Sequence, residues 1–261
     1  MKCSDIMLYL EQLSPKKYAL DWDNVGLLVG SKEQDVKKIM LALDASMEVI
    51  EQAVTEKVDL LITHHPMIFG SIKTVNMDTL VGRKIMTLLA NNISCFAMHT
   101  NFDIMGSMAD LAADRLQLSH REPLEVTWQD DRIVEGIGRV GKLPQQCTVQ
   151  ELAEEIKKQF SLPAVMVYGA LEQRVERIAI CPGSGKSMID DARQKEAQVL
   201  VTGDLGHHEG LDAKEDGLIL IDATHYGLEH IFTEFVKQYL EDKLNGVTLV
   251  MCEEKAPYQL V

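Results

Sequence analysis

The chain is poor in aromatic residues, has no paired cysteines and contains no long apolar run, and each lack narrows what it can be. Phe, Trp and Tyr make up 5% of its 261 residues. The core must therefore be aliphatic, helped by 13 methionines. Its five cysteines (Cys3, Cys95, Cys147, Cys181, Cys252) are odd in number, scattered and without a CxxC pair. That pattern excludes a disulfide framework and fits free thiols in a reducing cytoplasm, the expected location. The longest apolar runs, such as Ile39–Leu43 and Leu218–Ile221, fall far short of the roughly 20 residues a membrane span needs, so no membrane role is expected. The opening MKCSDIMLYLEQL carries Asp5 and Glu11 and reads as a capped amphipathic helix, not a signal peptide. Positive charge is also short: 26 Lys and Arg face 40 Asp and Glu, a net −14. Direct contact with a nucleic-acid backbone is disfavoured, because it needs clustered cations to displace counterions. A small anionic ligand stays compatible, since a bound metal can supply positive charge locally.

What is present is an alternation of short β-rich runs with helical periodicity. VGLLV (Val25–Val29) and KIMLALD (Lys38–Asp44) precede a helix near Ser46–Glu56. The strand DLLITHH (Asp59–His65), a helix near Leu80–Asn91, the strand ISCFAMH (Ile93–His99) and a helix near Met105–Leu116 follow. After the Asp130-Asp131 turn come IVEGIGRVGKL and a helix TVQELAEEIKKQF capped by Thr148. The runs VMVYG, VERIAICPG, VLVTGD, LILIDATH and VTLVMC alternate with helices near Met188–Glu196 and Leu228–Lys243. This pattern predicts an α/β fold of mixed sheets flanked by helices. No Pro/Gly/Ser linker interrupts it, so a domain boundary has to be a fold boundary, expected near Glu125–Arg132. Two related lobes are expected, residues 1–125 and 126–261, with a metal site in the cleft between them. The C-terminal part could interleave and complete the first lobe's site. A weak internal repeat supports two lobes: LLITHHP (Leu60–Pro66) matches LVTGDLGHH (Leu200–His208), and both MHTNFD and ATHYGLE supply H-x-x-x-[D/E].

The chemistry-bearing residues gather at predicted strand ends, where open α/β sheets place their ligands. THHP (His64, His65), HTNFD (His99, Asp103) and THYGLE (His225, Glu229) each sit just after a strand. Imidazole with carboxylate suits Zn, Fe, Mn or Co as divalent ions. On a helix His225 and Glu229, at i and i+4, share a face. Adjacent His64 and His65 diverge if both remain in the strand, which suits one histidine per metal if the chain bends at Pro66. Ligands around two ions roughly 3.5–4 Å apart with positions left open are the mark of hydrolytic two-metal sites. TGDLGHHEG adds Asp204, His207 and His208, as further ligands or as groups lining a pocket. CPGSGKS (Cys181–Ser187) fails the P-loop pattern because Ile180 stands where the first glycine belongs. Its Gly183 and Gly185 are left as a loop able to approach an anion, and so as pocket-lining candidates. DWDNVGLLVG (Asp21–Gly30) reads as cap and turn chemistry, with cleft lining as the alternative.

Taken in order, DWDNVGLLVG, ITHHP, HTNFD, GSG, TGDLGHHE and DATHYGLE resemble the NGG-interacting-factor-three-like family, also called GTP cyclohydrolase I type 2. The resemblance runs over essentially the whole chain, in a short form without the inserted domain of longer members. It implies two divalent ions per chain, held by His64, His65, Asp103, His225 and Glu229. In that scheme Glu229 bridges, with His65 and Asp103 on one ion and His64 and His225 on the other. It also implies a ring-shaped homohexamer with its metal sites facing an internal cavity. The activity implied is metal-dependent hydrolysis of a nucleotide-like substrate, GTP first among candidates, with His99 or His207 moving protons. The alternative is a non-catalytic protein of metal delivery or regulation.

Overall fold

The computed structural model describes residues 1–105 and 107–259. In chain order its elements are α1 (Cys3–Leu13), β1 (Gly26–Val29), β2 (Lys38–Ala42), α2 (Met47–Thr55), β3 (Leu60–Thr63), α3 (Leu80–Ala90), β4 (Ser94–Ala97), α4 (Thr100–Ile104) and α5 (Met108–Arg115). Then follow β5 (Ser119–Gln129), β6 (Val134–Thr148), α6 (Val149–Gln159), β7 (Met166–Tyr168), β8 (Arg174–Ser184), α7 (Ile189–Gln194), β9 (Val199–Gly203) and α8 (His207–Glu215). The last are β10 (Ile219–Asp222), α9 (His225–Glu229), α10 (Ile231–Glu241) and β11 (Thr248–Met251). The architecture is mixed α/β, as the alternation of runs predicts.

One compact unit joins residues 1–105 to Phe232–Lys255. Its sheet has the order β1-β4-β3-β2-β11, parallel except for β1, which pairs antiparallel with β4. Every residue of β3 and β4 is buried. That explains why these strands read as unbroken apolar runs and not as alternation. Helices α2 and α3 bury Val49, Ile50, Ile85 and Leu88 against Met40, Leu61 and Cys95 of the sheet. Helix α2 starts where Ser46 Oγ accepts from the Val49 amide, a cap worth about 1 kcal/mol. The run VTLVMC adds to this sheet from the far end of the sequence: β11 lies parallel to β2, with Thr248 opposite Lys38 and Met251 opposite Leu41.

The other unit comprises residues 107–231 and 256–259. Its sheet has the order β5-β6-β8-β9-β10-β7, in which β8, β9 and β10 are parallel and the outer pairings antiparallel. Strand β9 is buried throughout. Helix α6 opens with a capping box, Thr148 accepting from the Glu151 amide and Glu151 accepting from the Thr148 amide. Two helices differ from the sequence expectation. The helix expected near Met105–Leu116 is α5, which starts at Met108, after Ser107 with a positive φ of 95°, and a further short helix, α4, precedes it at Thr100–Ile104. The stretch read from Leu228 starts earlier, at His225, and breaks at His230.

Burial sets the reactivity of the thiols. It pushes Cys95 up to about 12 and Cys3 up to about 11, and burial together with the carboxylates of Glu254, Glu48 and Glu253 pushes Cys252 up to about 12. Only the thiolate is nucleophilic, so at pH 8 fewer than roughly one in a thousand of these groups is reactive. The native chain is expected to resist iodoacetamide at Cys3, Cys95 and Cys252 at pH 8, and labelling to rise as pH climbs toward 11. Mass mapping that finds Cys95 fully alkylated within minutes, without denaturant, would contradict this.

Candidate metal centre

In the first unit the strands β2, β3 and β4 end side by side, and the loops that leave them carry the site. Strand β3 stops at Thr63, so His64 and His65 are already outside the pleat. The Thr63 hydroxyl donates to the His65 carbonyl (2.9 Å) and the His65 amide donates to the Leu43 carbonyl (3.0 Å). The two rings therefore do not diverge as they would within a strand: their centroids lie 4.8 Å apart. His99, at the N-terminal cap of α4, brings its ring to 5.3 Å from that of His64 and 5.5 Å from that of His65. The three histidines offer nitrogen atoms within 4.8 Å of one another, the reach of a single ion. Asp103, one turn along α4, places Oδ1 3.5 Å from His64 Nε2. His64 is fully buried, packed on Phe102 and Phe232.

Each of these rings is turned by an acceptor on Nδ1. His64 Nδ1 donates to the Met98 carbonyl (2.7 Å), a group that can only accept. His65 Nδ1 donates to Asp44 Oδ1 and His99 Nδ1 to Asp23 Oδ1, both at 2.9 Å. A neutral imidazole that carries its proton on Nδ1 presents a lone pair on Nε2, the atom a metal takes. Carboxylate-to-imidazole pairing behind the ligand atom is how metal-binding histidines are oriented. The Asp23 side chain is fully buried. Burial alone would raise its pKa, but hydrogen bonds from His99 and from the Thr100 hydroxyl and amide outweigh burial and hold it at about 2. Asp44 sits in a loop clamped by Glu254, whose carboxylate accepts from the amides of Leu43 (2.6 Å) and Asp44 (3.0 Å).

The second unit repeats the arrangement at the ends of β9 and β10. His225 Nε2 lies 2.9 Å from Glu229 Oε2, one turn away on α9. His225 Nδ1 donates to Asp204 Oδ2 at 2.7 Å. Asp204 follows β9 directly, with a positive φ of 58°. Glu229 is 3% exposed, so its charge requires partners. Its approach depends on glycines. A β-carbon added at Gly183 would stand 2.3 Å from Glu229 Oε1, and one at Gly203 2.3 Å from the His225 amide nitrogen. At Gly185 it would stand 2.2 Å from Thr202 Oγ1. The glycines of CPGSGKS thus give α9 and β9 room against β8, which a sequence search for phosphate loops does not suggest.

His207 and His208 stand apart from these contacts. Both are exposed at the start of α8, where their rings meet edge to face with centroids 5.2 Å apart. Among the described residues neither hydrogen-bonds to a carboxylate or imidazole named above. The carboxylates Asp23 and Asp44 are what residue-by-residue reading leaves out. Their only signals are the acidic end of KIMLALD and the DWDN stretch.

Buried and half-buried imidazoles and carboxylates at strand ends, with each ring oriented through Nδ1, define an α/β protein whose donor set can hold a metal ion. The chain belongs to the Duf34/NIF3 (NGG1p interacting factor 3) family, which it matches over residues 1–257. Among named relatives, "GTP cyclohydrolase 1 type 2 homolog" of Clostridium perfringens is 34% identical, with 100% of both chains covered. The Bacillus subtilis relative of the same name is 28% identical over 356 aligned positions that take in 95% of this chain, so it carries residues without counterpart here. Among solved structures, reduced HcgD from Methanocaldococcus jannaschii superposes with a TM-score of 0.86 at 32% identity, covering 97% of this chain and 98% of that one. The Bacillus cereus protein related to NIF3 superposes with a TM-score of 0.90 at 22% identity, covering 100% and 99%, a likeness of fold. Among the described residues no helix is long and apolar enough to cross a membrane.

Proposed function

We propose that the chain is a hydrolase that uses two divalent metal ions on a nucleotide-like substrate, with GTP the first candidate. The observation that carries the reading is the shared orientation of His64, His65 and His225, each with Nδ1 bonded to a carboxylate or carbonyl and Nε2 presented. Structural histidines have no need of three such tethers at strand ends; metal ligands do. His64, His65, Asp103, His225 and Glu229 are the proposed ligands, in the pattern the family resemblance implies, with Glu229 as bridge. The nitrogen and oxygen donors fit Zn, Fe, Mn or Co. When bound, such ions supply the Lewis acidity that makes water nucleophilic near neutral pH.

The chain's own residues do the rest. Asp23, Asp44 and Asp204 fix ring orientation and raise ligand basicity. His99, held by Asp23, is placed to take and return a proton through Nε2. His207, exposed on α8, is the weaker candidate for that role. An assembly of several copies, a hexameric ring by resemblance, belongs to the same proposal, as does a small anionic substrate, whose charge the ions would meet in a chain of net −14.

Purified protein loaded in turn with Zn, Mn, Fe and Co is expected to release formate from GTP, measured by enzymatic formate assay with the loss of guanine absorbance. Two bound ions per chain with no formate under any metal would overturn the hydrolase and leave metal delivery or regulation.

A further inference from the structure

The segment that follows β11 touches, in each unit, an element that orients proposed ligands. Strand β11 ends at Met251, opposite Leu41, and the Cys252 amide donates to the Leu41 carbonyl (2.9 Å). Past that point the Glu254 side chain continues the edge. One carboxylate oxygen accepts from the Leu43 amide (2.6 Å) and the other from the Asp44 amide (3.0 Å). Amides that run out of a sheet need acceptors, and a carboxylate that takes two at once fixes both residues. Gln52 of α2 holds the start of the segment, its Oε1 accepting from the Glu253 amide (3.2 Å) and the Cys252 thiol (3.1 Å). The two residues so fixed are those on which His65 rests. Asp44 accepts from its Nδ1 and the Leu43 carbonyl from its amide.

In the second unit the same segment ends on α9. Tyr258 and Thr224 share a hydrogen bond between their hydroxyls. Thr224 is the N-cap of α9, where its Oγ1 accepts from the Gly227 amide (3.1 Å). Its φ of 63° is one that a β-branched residue rarely adopts. A strained residue keeps its conformation only where its surroundings over-determine it. Here the bonds come from three sides: Asp222 accepts from the Thr224 amide (2.8 Å), the helix closes on the hydroxyl, and Tyr258 meets the same hydroxyl. The next residue is His225, and Glu229 lies one turn further on. Any rotation at Thr224 carries both with it.

We infer that residues 252–258 are a positioning element of the candidate metal centre, with Glu254 setting His65 through Asp44 and Tyr258 setting His225 and Glu229 through Thr224. Neither residue acts as a ligand. Each fixes a group that orients one, and contacts of that kind carry part of a site's affinity. The inference rests on the reading above for the ligands and not for the reaction.

The test uses the full chain loaded with Co(II), whose visible absorption reports ligand geometry, with affinity read by chelator competition. Tyr258→Phe removes one hydroxyl at a position 41% exposed, so its metal-free form is expected to melt with the parent. Glu254→Gln keeps the volume and one acceptor oxygen. Each variant should bind Co(II) about tenfold more weakly, the lower end of the range for contacts behind a ligand, and should shift the cobalt bands. The double variant should lose about a hundredfold, since the two residues act on separate groups. Cobalt affinity and spectrum unmoved in both variants, even with a lower melting temperature, would make the segment a structural strap and overturn the inference. Weakened cobalt binding in the variants of a parent that releases no formate would keep the segment's role and sink the hydrolase. Formate release by the parent with parental cobalt affinity in both variants would sink the segment's role alone. A parent that takes up no Co(II) sinks both.

Discussion

A Gly183→Ala chain is expected to keep its fold and lose its tight metal binding. The new β-carbon would stand 2.3 Å from Glu229 Oε1, far inside contact distance. The relief available is the far end of a side chain, so the carboxylate moves and the backbone stays. A second cost comes from φ at 78°, which alanine adopts with a penalty of about 1 kcal/mol. In a chain of this size that lowers the melting temperature by roughly 2–4 °C. Gly217→Ala separates the two effects, because Gly217 has a similar φ of 84° with nothing within 4 Å of an added β-carbon. Both variants should melt a few degrees early in calorimetry. Only Gly183→Ala should lose metal affinity, by about 10- to 100-fold in competition with a chelator, the range typical for disturbed ligand orientation. Equal metal affinity in the two variants would show that Glu229 has no part in holding an ion.

Replacing Glu229 itself should have the larger effect. If it bridges, Glu229→Ala removes a ligand from each ion at once, and elemental analysis after gel filtration should fall from two ions per chain to one or none. Formate release, if present in the parent, should drop at least about a thousandfold, since both ions have to be in place for the chemistry. Glu229→Gln holds the volume and one acceptor oxygen in a position that is 3% exposed. It should fold like the parent yet fail to retain the second ion. Two ions per chain in both variants at parental affinity would remove Glu229 from the centre.

The ligand candidates were legible because their chemistry and their place in the chain coincide. His64, His65, Asp103, His225 and Glu229 all follow runs apolar enough to be recognised as buried strands. The residues that orient them were not, because orientation is a non-local property. Asp23 meets His99 across 76 residues, and Asp44 meets His65 across 21. The same limit applied to the fold. Strands β3, β4 and β9, buried at every position, announce themselves by composition. Strand β5, SHREPLEVTWQ, carries charges and a proline and is only partly buried, as the last strand of its sheet can be. Nothing in its composition marks it as a strand. The near-equivalence of LLITHHP and LVTGDLGHH was visible in sequence, and both segments end in site residues: β3 gives way to His64 and His65, and β9 to the Asp204 that orients His225.

The edge strand β11 bears on how the molecule comes into being. Its partner β2 ends at Ala42, whereas β11 begins at Thr248, so the first sheet stays unfinished until almost the whole chain has left the ribosome. Until then β2 offers a bare row of amides and carbonyls to any strand nearby. The contact that covers it closes a loop of about two hundred residues, a slow kind of event. The six-stranded sheet of the second unit runs from Ser119 to Asp222 without interruption, and so can assemble while the first sheet waits for β11. Of the two sheets, the one begun first is therefore the one completed last.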